Sequence, residues 1–239
     1  MTAKVLPIVN RVSTTLNDES NIRWTLSELV QHLSDAQRAA VLLKPEINPK
    51  VANLPLASGT LQTLPDDAYM LIDVTRNMRV ESVDGKIQST PGTAITPTSR
   101  SSMDQVRASW HLPSDDDEIL PYNYIYDARN RLSFFVYPGR TFAAEEQVEI
   151  IYSKMPPEIE LVGGKVTDTM VTELSEIYAP ALTHYVLSRA YEKDAPIAGQ
   201  GPAMSQLHFQ AFALMITGRE AEANEMALTI RHEIGEKEE

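Results

Sequence analysis

Ser101, Asp104 and His111 have the residue types of an acyl-transfer site: a hydroxyl to attack, an imidazole to take its proton and a carboxylate to orient the imidazole. Their spacing imposes no mutual geometry, so they are candidates without a scaffold. His232-Glu233 resembles the opening of a zinc-protease helix, but the second histidine that chemistry needs would fall at Glu236. Gly199-Gln200-Gly201 lacks the third glycine of a dinucleotide fingerprint and sits between two helical patterns, where that fingerprint must follow a strand. Neither a GxxxxGK[ST] phosphate loop nor a GxSxG elbow occurs. The run Asp115-Asp116-Asp117-Glu118 has carboxylates for calcium but not the alternating ligands and glycine of a calcium loop, and reads as hydrated loop. The five histidines, His32, His111, His184, His208 and His232, fall one to an element. Tyr122, Tyr124, Tyr126, Phe134, Phe135 and Tyr137 could stack bases, yet only Arg129, Arg131 and Arg140 accompany them, which favours sheet packing.

The elements that must position these groups are best written between Trp24 and Pro45. Thr25 is a good N-cap, with Glu28 placed to complete a capping box and Trp24 and Leu29 placed as a hydrophobic staple. Leu26, Leu29, Val30, Leu33, Ala36, Gln37, Ala40 and Val41 recur at helical spacing, and Pro45 ends the run. Trp24, Leu29, Leu33 and Ala40 are its expected core. Val5 to Leu16 reads as a shorter helix, packed on this one as a hairpin.

After Pro45 the chain is rich in proline, asparagine and small residues, and reads as an extended connector. Strands are expected at Ala68 to Val74, on either side of Asp84-Gly85 as a hairpin, and at Tyr122 to Tyr126, Leu132 to Tyr137 and Val148 to Tyr152. Their spacing suggests an antiparallel sandwich or barrel, interrupted by a short helix capped by Ser101 and ending near Trp110. Helices resume from Ile177 to Asp194, with Pro180 in the first turn or at a kink. Another runs from Pro202 to a C-cap at Gly218, and a last one from Arg219 to Ile234 has a thin apolar stripe. The expected fold class is α+β: a helical bundle from both chain ends, residues 1–55 and 161–239, with an inserted antiparallel β-rich domain at 56–160.

With 43% hydrophobic and 23% charged residues, the 239-residue chain has the composition of a folded protein. It lacks cysteine, which removes disulfides and thiol chemistry. No apolar run suits a signal peptide or a membrane span. A formal net charge of −12 argues against general binding to phosphate backbones.

Taken in order, RVSTTLNDESNIRWTLSELVQHLSDAQRAAVLLKP, SGTLQTLPDDAYMLIDVTRNM, TSRSSMDQVRASW, NYIYDARNRLSFFVYPG, VEIIYSKMPP and YVLSRAYEKDA resemble the head-to-tail adaptor proteins of tailed bacteriophages, the short-tailed phage type in particular. The match thins from Ala195 onward. The resemblance implies a non-enzymatic virion protein without cofactor or metal, assembled in the host cytoplasm and lying at the head-tail junction. It implies a ring of about twelve copies, whose closure needs two different complementary surfaces on each subunit. Portal protein and a tail or nozzle protein would be its partners, and genomic DNA would pass through the channel without specific binding. Residues 219–239 then correspond to a portal-docking helix, with Arg219, Met226, Ile230 and Ile234 as contacts. Two alternatives stand beside it: a peptide or single-strand nucleic-acid binding module on the β domain, and a hydrolase using His111.

Overall fold

Thr25 begins α2 (Leu26–Leu43) as an extended residue whose side chain accepts the backbone N–H of Glu28 at 3.3 Å. The Glu28 carboxylate is taken by Lys193, at 2.7 and 3.0 Å. The loop before α2 is built around Asp18, whose carboxylate accepts the N–H groups of Ile22, Arg23 and Trp24 at 2.9–3.0 Å. Asn17 and Asn21 take positive φ on either side, which asparagine tolerates. The bond from Trp24 first, then those from Ile22 and Arg23, hold the Asp18 carboxyl below its ordinary value against the opposing effect of desolvation.

The computed structural model describes the backbone of residues 1–83, 86–114, 116, 118–143, 145–198 and 201–235, and their side chains except at 81–83, 86–87, 194–198 and 219–235. Two compact units result, Met1–Ile47 with Pro156–Glu239, and Asn48–Met155.

In the first unit, β1 (Thr2–Lys4) leads directly into α1 (Val5–Thr15) and pairs antiparallel with β10 (Val171–Ser175). α1 buries Val5, Ile8, Val9 and Val12, packing more extensively on α4 (Ala179–Ala198) than on α2. α2 buries Leu29, Leu33, Ala36, Ala40 and Val41 without residual exposure. Gln37, the polar member of that stripe, is equally buried and accepts the backbone N–H of Glu173 at 2.7 Å, joining α2 to β10. α5 (Gly201–Gly235) lies against α4. Their contacts run in opposite order, Ser188 to Ser205 and then His184 to His208, so the pair is antiparallel. At about 1.5 Å per residue, the 35 residues of α5 outlast the 20 of α4 by about 22 Å.

The second unit holds two sheets. One has the order β2-β9-β4-β5, from Pro49–Pro55, Glu146–Lys154, Ala68–Val83 and Lys86–Ala94. The other has the order β3-β8-β7-β6, from Gly59–Thr63, Ser133–Arg140, Asn123–Tyr126 and Thr96–Pro97. Strands of both feed one core that includes Leu71, Val74, Phe134, Val136, Val148, Ile150 and Tyr152. A smaller cluster joins Met103 of α3 (Arg100–Val106) to Trp110, Ile125 and Tyr137. The register of β4 on β9 shifts three times, and such bulges bend and twist a strand. With that bending, Asn53 on β2 reaches Ser89 on β5 at 2.8 Å, although β9 and β4 lie between them.

The α+β reading, a helical bundle closed by the two chain ends around a β insertion, is overturned. Among the described residues, ten strands in three sheets outnumber five α-helices, and the terminal segments themselves carry the β1-β10 sheet. The chain is mixed α/β and mostly β-rich. The expected connector after Pro45 is a 3-10 turn followed by two edge strands, β2 and β3; prolines at both ends of β2 are compatible with an edge. Ser99, not Ser101, caps α3, accepting the N–H of Ser102. Pro180 falls in the first turn of α4, where it costs no hydrogen bond. Gly218 does not end a helix, because α5 continues to Gly235. Of the expected hairpin, Asp84 and Gly85 lie outside the described residues, while β4 and β5 pair up to Val83 and Lys86.

Candidate functional site

The three acyl-transfer candidates are not assembled. Asp104 accepts the indole N–H of Trp110 at 2.8 Å, and the His111 ring stacks on the same indole at 3.5 Å between centroids. His111 Nδ1 lies 3.4 Å from the Thr60 hydroxyl, and Ser101 shares hydrogen bonding with Ser99 at 3.0 Å. Asp104 and His111 therefore fix the buried Trp110 from two sides instead of serving a nucleophile. Near the acidic run, Asp116 N–H donates to Ser114 and Glu118 N–H to Asp116, a local turn, while Asp115 and Asp117 lie outside the described residues. Among the described residues no group of three or more histidine, aspartate or glutamate side chains is close enough to hold a metal. Gly199 and Gln200 lie outside the described residues, as do the side chains of His232 and Glu233 and all of Glu236.

Half of the aromatic platform is interior, Tyr126 and Phe135 are half-buried, and Tyr122 alone of the six is exposed. Phe134 is fully buried, and Tyr124 and Tyr137 nearly so. The Tyr124 hydroxyl donates to Asp73 at 2.8 Å, and burial, with that carboxylate second, pushes its pKa above the ordinary phenol value. The arginines are engaged as well. Arg140 is buried, pairs with Glu146 and donates to the carbonyls of Ile119 and Thr141 at 2.8 Å. Arg129 forks onto Asp127, holding that carboxyl at about 2, and Arg131 donates to the Tyr69 hydroxyl at 2.6 Å. A single-strand groove of stacked bases and free cations is thus not what this face offers.

What the first unit offers is apolar surface. Leu207, Phe209, Leu214 and Met215 on α5 are each 42–57% exposed. Near the start of α4, Ile177, Tyr178, Pro180, Ala181, Met215 and Ile216 line, with Lys44, a groove of about 280 Å³. Such surface suits protein contact better than small-molecule chemistry. Arg219, Met226, Ile230 and Ile234 lie on the α5 backbone, and their side chains are outside the described ones. Trp24, Leu29, Leu33 and Ala40 are interior, none above 5% exposed.

Sequence reasoning missed one juxtaposition. His184 on α4 and His208 on α5 meet with their Nδ1 atoms 2.8 Å apart. Twenty-four residues separate them in sequence, which carries no signal by itself. The short break between α4 and α5 signals only that the two helices can fold back on each other; His184 lies 14 residues before the end of α4 and His208 seven after the start of α5, so distance from the turn does not pair them.

The family model described as SU10 adaptor protein matches residues 3–231. No curated protein matches the chain.

Proposed function

The chain belongs to the SU10 adaptor protein family, and from that premise we propose that it is a bacteriophage head-to-tail adaptor, a structural virion protein that forms a ring between portal and tail. The observation that carries this reading is the extent of the family match, from residue 3 to residue 231, across both units and into the far half of α5. It acts by docking and not by catalysis. Residues 219–239 are the portal-docking element, with Arg219, Met226, Ile230 and Ile234 as its contacts, and α5 has the length to carry them beyond the end of α4. The rest of the first unit, residues 1–47 and 156–218, is the rigid support of that helix, and the second unit, residues 48–155, is the domain turned to neighbouring copies or to the tail protein.

A ring of about twelve copies needs two unlike, mutually complementary faces on each subunit. Exposed Leu207 and Leu214 on α5 and the groove beside Ile177 and Met215 supply apolar surface for one of them. The net charge of −12 agrees with a channel that genomic DNA traverses without adhering.

Mass measurement of the purified protein with and without portal protein tests the reading. A ring, alone or on portal, is expected; a chain that stays monomeric and ignores portal overturns it.

A further inference from the structure

We infer that His184 and His208 form an acid-sensitive clasp between α4 and α5, closed while at least one of the two imidazoles is neutral and opened when both carry charge. Two ring nitrogens 2.8 Å apart need a single hydrogen between them: one Nδ1 donates and the other accepts through its lone pair. With both rings protonated, two N–H groups point at one another, the bond is lost, and two cations face each other with ring centroids 5.0 Å apart.

The surroundings give the second charge nowhere to go. The Tyr191 ring lies parallel to His208, 2° between planes and 5.4 Å between centroids. One turn along, the Ser188 and Ser205 hydroxyls are 3.3 Å apart, and on the other side Tyr185 meets Phe212 at 5.0 Å. On α4, Arg189 and Glu192 pair with each other at 2.7 Å, and Lys193 pairs with Glu28 of α2. On α2, Glu28 and Asp35 act on His32, and Asp35 acts also on Tyr185. Among the described residues no charged side chain of α1, α2, α4 or α5 acts on His184, and His208 is acted on by His184 alone. Both rings are partly buried. Burial pushes each pKa below the ordinary 6.5, and the neighbouring imidazole pushes His208 further down.

The direction of the effect follows from linkage. Folded-state pKa values below 6.5 mean that the native hairpin binds fewer protons than the unfolded chain. The stabilisation is complete above about 6.5 and is lost as the pH falls through the depressed folded values. The clasp concerns how α5 is held on α4 and stands whether or not α5 reaches a portal.

Ring-nitrogen and ring-carbon NMR of the full chain between pH 8 and 5, with amide hydrogen exchange on the same samples, tests the clasp. The two imidazoles should protonate in separate steps, the second with about ten-fold or lower proton affinity than the first. Exchange over residues 201–218 should rise with the second step, while exchange over 29–41 of α2 stays unchanged. Independent titration of both rings near 6.5, or exchange that ignores the second step, overturns it. His208→Gln keeps a hydrogen bond to neutral His184 and should abolish the acid step, whereas His32→Gln should leave it in place; an acid step that survives in His208→Gln also overturns it. If that variant does not fold, the wild-type titration and exchange decide alone.

Discussion

Trp24 donates its indole N–H to the carbonyl of Ala190 at 3.2 Å, tying the residue that precedes the α2 cap to the middle of α4. The indole is 5% exposed, so it contributes both packing and a buried polar contact. Trp24→Phe should cost about 1 kcal/mol, the value of one hydrogen bond, and Trp24→Ala about 3–5 kcal/mol in urea unfolding. Equal losses in the two variants would show that the hydrogen bond and not the ring is what matters.

Leu33 has no solvent exposure in the middle of α2. Leu33→Ala should destabilise by about 2–5 kcal/mol, and Leu33→Asp should prevent folding, because an unpaired carboxylate cannot be accommodated there. Circular dichroism of both variants checks this; a folded Leu33→Asp with a native melting curve would contradict the burial described.

Arg140 and Glu146 form a pair whose side chains are 4% and 18% exposed. Glu146 also accepts the N–H of Ala143 at 2.7 Å. Arg140→Met strands that carboxylate and the carbonyls of Ile119 and Thr141, at a cost of about 3–5 kcal/mol. Adding Glu146→Gln should recover part of the loss, and a double variant no better than the single one would show that the carbonyl contacts carry the effect.

Asp18 organises the loop into α2 as a carboxylate, and its lowered pKa makes that contribution pH-dependent. The stabilisation is present above the ordinary value of 3.8 and disappears as the pH falls through the lower folded value. Asp18→Asn should therefore be less stable than wild type at neutral pH and converge with it in strong acid. Melting temperatures measured across that range give the test, and parallel curves would refute it.

Removing residues 219–239 should leave a folded chain that no longer docks on portal. Near-native circular dichroism with lost co-sedimentation is expected. Loss of the whole fold would mean that the far half of α5 is needed to build the first unit.

α2 was legible because its periodicity, cap and stop are local. Thr25, the apolar run to Val41 and Pro45 delimit α2 to within a residue. The partner of Glu28 was not legible, since Lys193 is distant in sequence. Nor were the strands β1 and β10, of three and five residues, which are too short for a period-two pattern. Gln37 was a clue passed over: a polar residue in an otherwise apolar stripe marks a backbone group that needs a partner, here the N–H of Glu173. Gly218 misled because glycine so often follows a helix end, yet α5 tolerates it internally. The acyl-transfer candidates had the right types, but Trp110, between Asp104 and His111 in sequence, bonds the one and stacks on the other.

The bond from Asn53 to Ser89 bears on how copies can associate. An open sheet invites a strand from another molecule along each rim, because the outer N–H and C=O groups have no ladder partner. Here one side-chain bond, from Asn53 to Ser89, joins the two rims of the sheet, so a strand arriving at Ser89 on β5 would meet Asn53. At that point of the rim, backbone pairing, which any extended chain could imitate, meets a side-chain obstacle that the faces and loops of the sheet do not carry.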